Sequence, residues 1–70
     1  MKSKVKEYRQ ELGLTQSQLG EMAGVARQTI NSLENGKYNP SLILAYKITV
    51  LLGLENIHDL FEFEEEDLED

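Results

Sequence analysis

The stretch TQSQLGEMAGVARQTINSLENG, residues 15–36, leaves this chain few choices of fold. Thr15 offers an N-cap oxygen, and Gln18 three residues later completes a reciprocal capping pattern, so a helix is expected over Gln16–Ala23. Leu19, Met22 and Ala23 fall on one side of it at helical spacing. Gly24 then breaks the helix, because glycine can take the left-handed conformation that a sharp turn needs. The next helix is expected to start at Arg27 and end at Asn35-Gly36, both good terminators, with Ile30 and Leu33 as its inward anchors. Gly20 is expected to face that helix, where a larger side chain would hold the two helices apart. Two helices this short cannot bury their own apolar sides, so the rest of the chain must supply a core.

At 70 residues the chain makes one domain, near the lower limit at which a single core supports itself. Val5, Tyr8 and Leu12 have helical spacing, which predicts a first helix over Lys4 to Leu12, closed by Gly13. After Pro40, Ser41 can cap a longer helix reaching about Leu52, with Leu44, Ile48, Leu51 and Leu52 as its core stripe. A short helical turn is expected over Asn56–Leu60. Phe61-Glu62-Phe63-Glu64 alternates with a strand period, and the other extended candidate is Met1–Lys4. Antiparallel pairing of the two would set Lys2 and Lys4 near Glu62 and Glu64. The expected fold class is thus all-α, a compact arrangement of five helices with a small two-stranded antiparallel sheet joining the chain ends. Residues 1–64 form the expected domain, and 65–70 are expected to be a disordered acidic tail.

The net charge of −6 conceals a polarised chain. Residues 1–40 hold six Lys/Arg and four Glu, for +2, whereas residues 41–70 hold one Lys and nine Asp/Glu, for −8. One half could approach a polyanion and the other could not, so the acidic total does not exclude nucleic acid. There is no cysteine and only one histidine, His58, which makes a transition-metal site improbable. The acidic end lacks the spaced loop and glycine of a calcium site. Neither a glycine-rich phosphate loop nor a histidine-activated serine is evident, so no catalytic residue, enzyme activity, metal or cofactor is expected. Without a signal peptide or a membrane-length apolar run, a cytoplasmic location is expected, with no membrane partner.

Two short helices about a glycine turn are the helix-turn-helix unit, which lays its second helix in the DNA major groove. The segment LTQSQLGEMAGVARQTINSLENGKYNPSL, residues 14–42, resembles the Cro/CI-type (XRE-like) helix-turn-helix family of phage and prokaryotic repressors. The resemblance rests on Thr15-Gln16 with Leu19, the turn glycine, Arg27-Gln28-Thr29-Ile30, Leu33-Glu34-Asn35-Gly36-Lys37 and Pro40-Ser41. It continues more loosely through AYKI and DLF to cover most of the chain. It implies a lambda-repressor-like fold and sequence-specific binding of double-stranded DNA in transcription regulation, as a repressor. Three features depart from the family pattern: Gly20 where alanine is commoner, Tyr8 where an aliphatic residue is usual, and a GLENIHDLF segment one residue longer than typical.

On a helical wheel, Arg27, Gln28, Asn31 and Ser32 share one polar face opposite Ile30 and Leu33. Arginine can bond guanine O6/N7 and glutamine adenine N6/N7, so these four are the candidate base readers. The resemblance assigns the same role to Arg27, Gln28 and Ser32. It also implies phosphate contacts at Gln16, Asn35, Lys37 and Tyr38, and a partly buried ion pair between Arg9 and Glu34. The amides opening the second helix would add to an anion site.

One such module reads too few base pairs for strong specificity, so a homodimer on a pseudo-palindrome is expected. Ile43, Tyr46 or Lys47, Val50 and Leu54 give the fourth helix a second apolar stripe. The interface is expected at Pro40, Leu42 and Ile43 with Leu54 and Ile57; the alternative is that the stripe packs under Phe61 and Phe63 within one chain. Two other functions remain open on sequence grounds. One is the antitoxin of a toxin–antitoxin pair, and the other is a protein-interaction module of the same fold.

Overall fold

A computed structural model describes residues 1–68 of the chain. The elements run β1 (Lys2–Ser3), α1 (Val5–Glu11), α2 (Gln16–Ala23), α3 (Arg27–Glu34) and α4 (Leu42–Leu51), a 3-10 turn (Ile57–Asp59), β2 (Phe61–Glu62) and a second 3-10 turn (Glu65–Leu68). Each boundary of the central unit has a local cause. The Thr15 hydroxyl accepts from Gln18 N–H at 3.0 Å and the Gln18 side chain accepts from Thr15 N–H at 2.8 Å, closing the expected capping box. Gly24 lies at φ +76°, where a side chain would be strained, and turns the chain from α2 into α3. A Cβ on Gly20 would stand 2.8 Å from Val25 O and 3.4 Å from the Arg27 nitrogen. The glycine therefore lets α2 close onto the backbone of the turn itself, just before the α3 flank that the sequence suggested.

The core is built from every helix and from the end of the chain. Val5, Leu19, Ile30, Leu33 and Ile48 are fully buried, and Leu60 and Phe61 nearly so. Ile30 and Leu33 thus fix the roll of α3, as their spacing predicted. The roll of α4 differs from expectation. Its buried side is Ala45, Ile48, Thr49 and Leu52, while Leu44 and Leu51 are only partly covered. Thr49 is accommodated because its hydroxyl donates to Ala45 O at 2.7 Å, leaving no unpaired polar group. Lys47, on the same helix, donates to Ala23 O at 3.3 Å and so caps the C-terminus of α2.

The end of the chain corrects two expectations. The fifth helix is reduced to the 3-10 turn Ile57–Asp59, so four α-helices are found among the described residues. Asn56 caps that turn by accepting from His58 N–H at 2.9 Å, and burial of Leu60 and Phe61 draws the chain into an extended strand before a longer helix can form. The small sheet is present: β1 and β2 pair antiparallel, Lys2 opposite Glu62 and Ser3 opposite Phe61. Its cross-strand pairing is narrower than expected, with Lys2 3.9 Å from Glu64 and the Lys4 N–H bonded to Leu60 O.

The tail, expected to be disordered from residue 65, is folded over Glu65–Leu68. Asp67 bonds Glu64 N–H at 2.8 Å and the Met1 amino group at 2.9 Å. Both contacts hold its carboxyl below the usual carboxylate range, the backbone N–H more strongly. The last two residues of that tail, Glu69 and Asp70, lie outside the described residues. Among the described residues no helix is long and apolar enough to cross a membrane.

Candidate nucleic-acid interface

The outward face of α3 follows from how the helix is held. Ile30 and Leu33 sit in the core, so the opposite side turns outward. There Arg27, Gln28, Asn31, Ser32, Asn35 and Lys37 line one open depression of about 510 Å³. These are the four base-reading candidates and two of the four phosphate candidates, brought together by a single helix and the turn after it. Arg27, Gln28, Asn35 and Lys37 are exposed, and Asn31 and Ser32 are half-buried. Tyr38 is 40% exposed just beyond the depression. Among the described residues, one side-chain hydrogen bond lies within this group: Asn35 Nδ2 donates to Asn31 Oδ1 at 2.7 Å.

The charge of the face is shaped by what lies behind it. Glu34 is the acidic residue of α3, and its side chain is only 4% exposed. Arg9 grips it from α1 with two bonds, Nε to Oε2 at 2.6 Å and Nη2 to Oε1 at 3.2 Å. Arg9 Nη1 also donates to Leu14 O at 2.7 Å. The hydrogen bond to Glu34 raises the arginine's already high pKa, against a smaller opposing effect of desolvation. The carboxylate is thereby neutralised locally, and Arg27 and Lys37 keep the outer face positive. The family resemblance implied this pair, which here ties α1 to α3.

Gln16 makes a contact inside the fold that its sequence did not suggest. It opens α2, but its amide nitrogen donates to Glu34 Oε1 at 3.1 Å, and the residue is half-buried. It therefore joins the Arg9–Glu34 cluster, so α1, α2 and α3 meet at one polar node. Its second N–H and the helix-start amides beside it remain the groups with which it could meet a phosphate. Sequence reasoning missed this node's third member and the Asn31–Asn35 bond. The signal for the second was present, since residues four apart on a helix are neighbours.

A separate surface lies on α4. Leu42 and Ile43 are 78% and 80% exposed, Tyr46 and Val50 also stand out, and Ile43, Tyr46, Lys47, Val50 and Leu51 line a shallow apolar depression. Of the other interface candidates, Pro40 is half-buried, and Leu54 and Ile57 pack partly against the core. The stripe does not fold under Phe61 and Phe63 within the chain: Phe61 is buried elsewhere and Ile43 remains open.

A capped helix, a glycine turn and a second helix with its polar side outward define a helix-turn-helix protein. Residues 5–57 match the family model for the helix-turn-helix, and the chain belongs to that family. It is 53% identical over 66 residues to an HTH-type transcriptional regulator of Methanothermobacter thermautotrophicus, covering 94% of this chain and 96% of the relative. Among solved structures it is similar to SinR, the master regulator for biofilm formation, in complex with DNA. The TM-score is 0.68 with 36% identity, over 77% of this chain and 86% of that one. It is also similar to SinR in a SinR/SinI protein complex, with TM-score 0.73 and 35% identity over 93% of this chain and 63% of that one.

Proposed function

We propose that this helix-turn-helix regulator binds double-stranded DNA sequence-specifically as a homodimer, with one α3 in each of two major grooves, and represses by occluding a promoter. The observation that carries this reading is the single open depression on α3, where six polar or basic side chains converge over two buried anchors. Arg27, Gln28, Asn31 and Ser32 offer donors and acceptors to base edges, and Asn35, Lys37 and Tyr38 at and after the end of the helix would meet phosphates. Gln16 would reach a phosphate from the start of α2 with its remaining N–H. Two copies related by a two-fold axis would address half-sites about 34 Å apart.

The exposed apolar face of α4 supports the dimer. Leu42 and Ile43 would form its centre with Tyr46 and Val50, and Pro40, Leu54 and Ile57 its margin. Contiguous apolar surface of this kind marks association in a small chain. The same face also favours a second reading, a protein partner docking on α4, and the SinR/SinI complex is a precedent for partner binding by a similar chain. Sedimentation of the chain alone separates the homodimer from a docked partner, and retention on duplex DNA at graded salt tests the DNA reading. Phosphate contacts predict a steep linear fall of log affinity with log salt, with a slope of about −0.9 per neutralised phosphate. A chain that binds duplex with no salt dependence, or not at all, would overturn the DNA-binding proposal.

A further inference from the structure

The acidic end of the chain is pinned beside the turn that follows α3. Asp67 Oδ2 accepts from Glu64 N–H at 2.8 Å and Asp67 N–H donates to Glu64 O at 2.9 Å, which closes the last 3-10 turn on itself. Asp67 Oδ1 then holds the Met1 amino group at 2.9 Å. The carbonyl of that same Met1 lies so near Gly36 that a Cβ there would stand 2.6 Å from it. Two contacts and the backbone of one residue therefore separate Asp67 from Gly36, a span of about 10 Å. Gly36 sits between Asn35 and Lys37, both phosphate candidates, and the Lys37 N–H is fixed to Ser32 O at 2.9 Å. At physiological salt the Debye length is about 8 Å, so the acidic turn lies roughly one screening length from that site.

Not every charge of this end is answered. Lys2 lies 3.9 Å from Glu64 and Met1 pairs with Asp67, whereas Glu65 and Glu66 are exposed and form no ion pair among the described residues. We propose that the turn Glu65–Leu68 is an intramolecular restraint on DNA binding: its carboxylates, held beside the turn that carries Lys37, repel the duplex backbone and weaken binding to every sequence alike. The effect acts through the field of fixed charges and needs no contact with a base. Phosphate attraction supplies nearly all of the affinity for non-specific duplex, so the restraint keeps the chain from being held where its base readers find no match. The inference rests on α3 reading DNA as proposed above.

The test is titration of the full chain and its variants against a duplex of random sequence and against a selected site, at several salt concentrations. Glu65→Gln/Glu66→Gln leaves Asp67 and its bond to Met1 in place while removing two charges. It is expected to bind both duplexes about three- to tenfold more tightly at low salt, with the gain shrinking as salt shortens the screening length. Glu65→Lys/Glu66→Lys should extend the gain in the same direction. The control is Glu7→Gln/Glu21→Gln, which removes the same charge from α1 and α2; Glu21 lines a separate depression with Leu14, Gln18 and Met22. That pair should gain much less. An equal gain in the control would make net charge the cause and overturn the proposal. So would unchanged affinity in the Glu65 and Glu66 variants, a gain that salt does not reduce, or an altered base preference. A wild type that binds duplex while these variants match it sinks this inference alone; a wild type that no duplex retains at low salt sinks the DNA reading and this inference with it.

Discussion

The outer faces of α3 and α4 expose comparable stretches of helix to solvent but prepare for different partners. On α3 the exposed groups are amides, a hydroxyl and cations, held by two buried anchors and backed by a neutralised Glu34. On α4 they are Leu42, Ile43, Tyr46 and Val50, with Lys47 at the margin bonded to Ala23. A polar face in water costs nothing and can be kept for a polyanion. An apolar face in water is unfavourable by about 25 cal/mol per Å², so its persistence points to a partner that covers it. The comparison also teaches where charge matters: the +2 half carries the polar face of α3, and most of the −8 lies toward the C-terminal end of the sequence.

The sharpest way to break the comparison is to remove what holds α3 in place. Glu34→Ala leaves Arg9 buried at 8% exposure without its partner, and a loss of about 3–5 kcal/mol is expected. In a domain this small, thermal or urea unfolding would register that as near-complete loss of the fold. Ile43→Lys acts on the other face. It should leave the fold intact and give monomers, with duplex affinity falling as the second half-site contact is lost; sedimentation that finds an unchanged dimer would remove Ile43 from the interface. Smaller is Lys37→Ala, which should weaken all duplex sequences alike and reduce the salt slope by about 1 per protomer, measured by titration at several salt concentrations.

The smallest effect lies at the acidic end, where Asp67 holds the Met1 amino group and Met1 in turn lies against Gly36 after α3. Asp67 has its folded pKa lowered, so its contribution to stability is present above the ordinary carboxylate range near about 4 and is lost as pH falls through the lowered value. Acid unfolding of Asp67→Asn should therefore differ from wild type above that range and converge with it at low pH.

Much of the outer face of α3 was legible in sequence because its determinants are local. Thr15 with Gln18, Gly24, and the Ile30–Leu33 spacing each act within a few residues, so the helix bounds of α2 and α3 and the polar side of α3 follow from them. The roll of α4 was not legible. Leu42, Ile43 and Leu44 are consecutive apolar residues, and such a helix has no polar side to mark its inner stripe. The bond between Met1 and Asp67 joins residues 66 apart, which composition alone reads as a loose acidic run. The Gln16–Glu34 contact likewise depends on how α2 crosses α3, a tertiary fact with no signature in either helix.

Selection of bound duplexes from a randomised pool, run in parallel with wild type and Arg27→Ala, tests the central claim most directly. Two inverted half-sites about 34 Å apart are expected for the wild type. Arg27→Ala should relax one base position in each half-site by about 1–3 kcal/mol and leave the spacing intact. An unchanged base preference in Arg27→Ala, or a selected site without two-fold symmetry, would contradict the account.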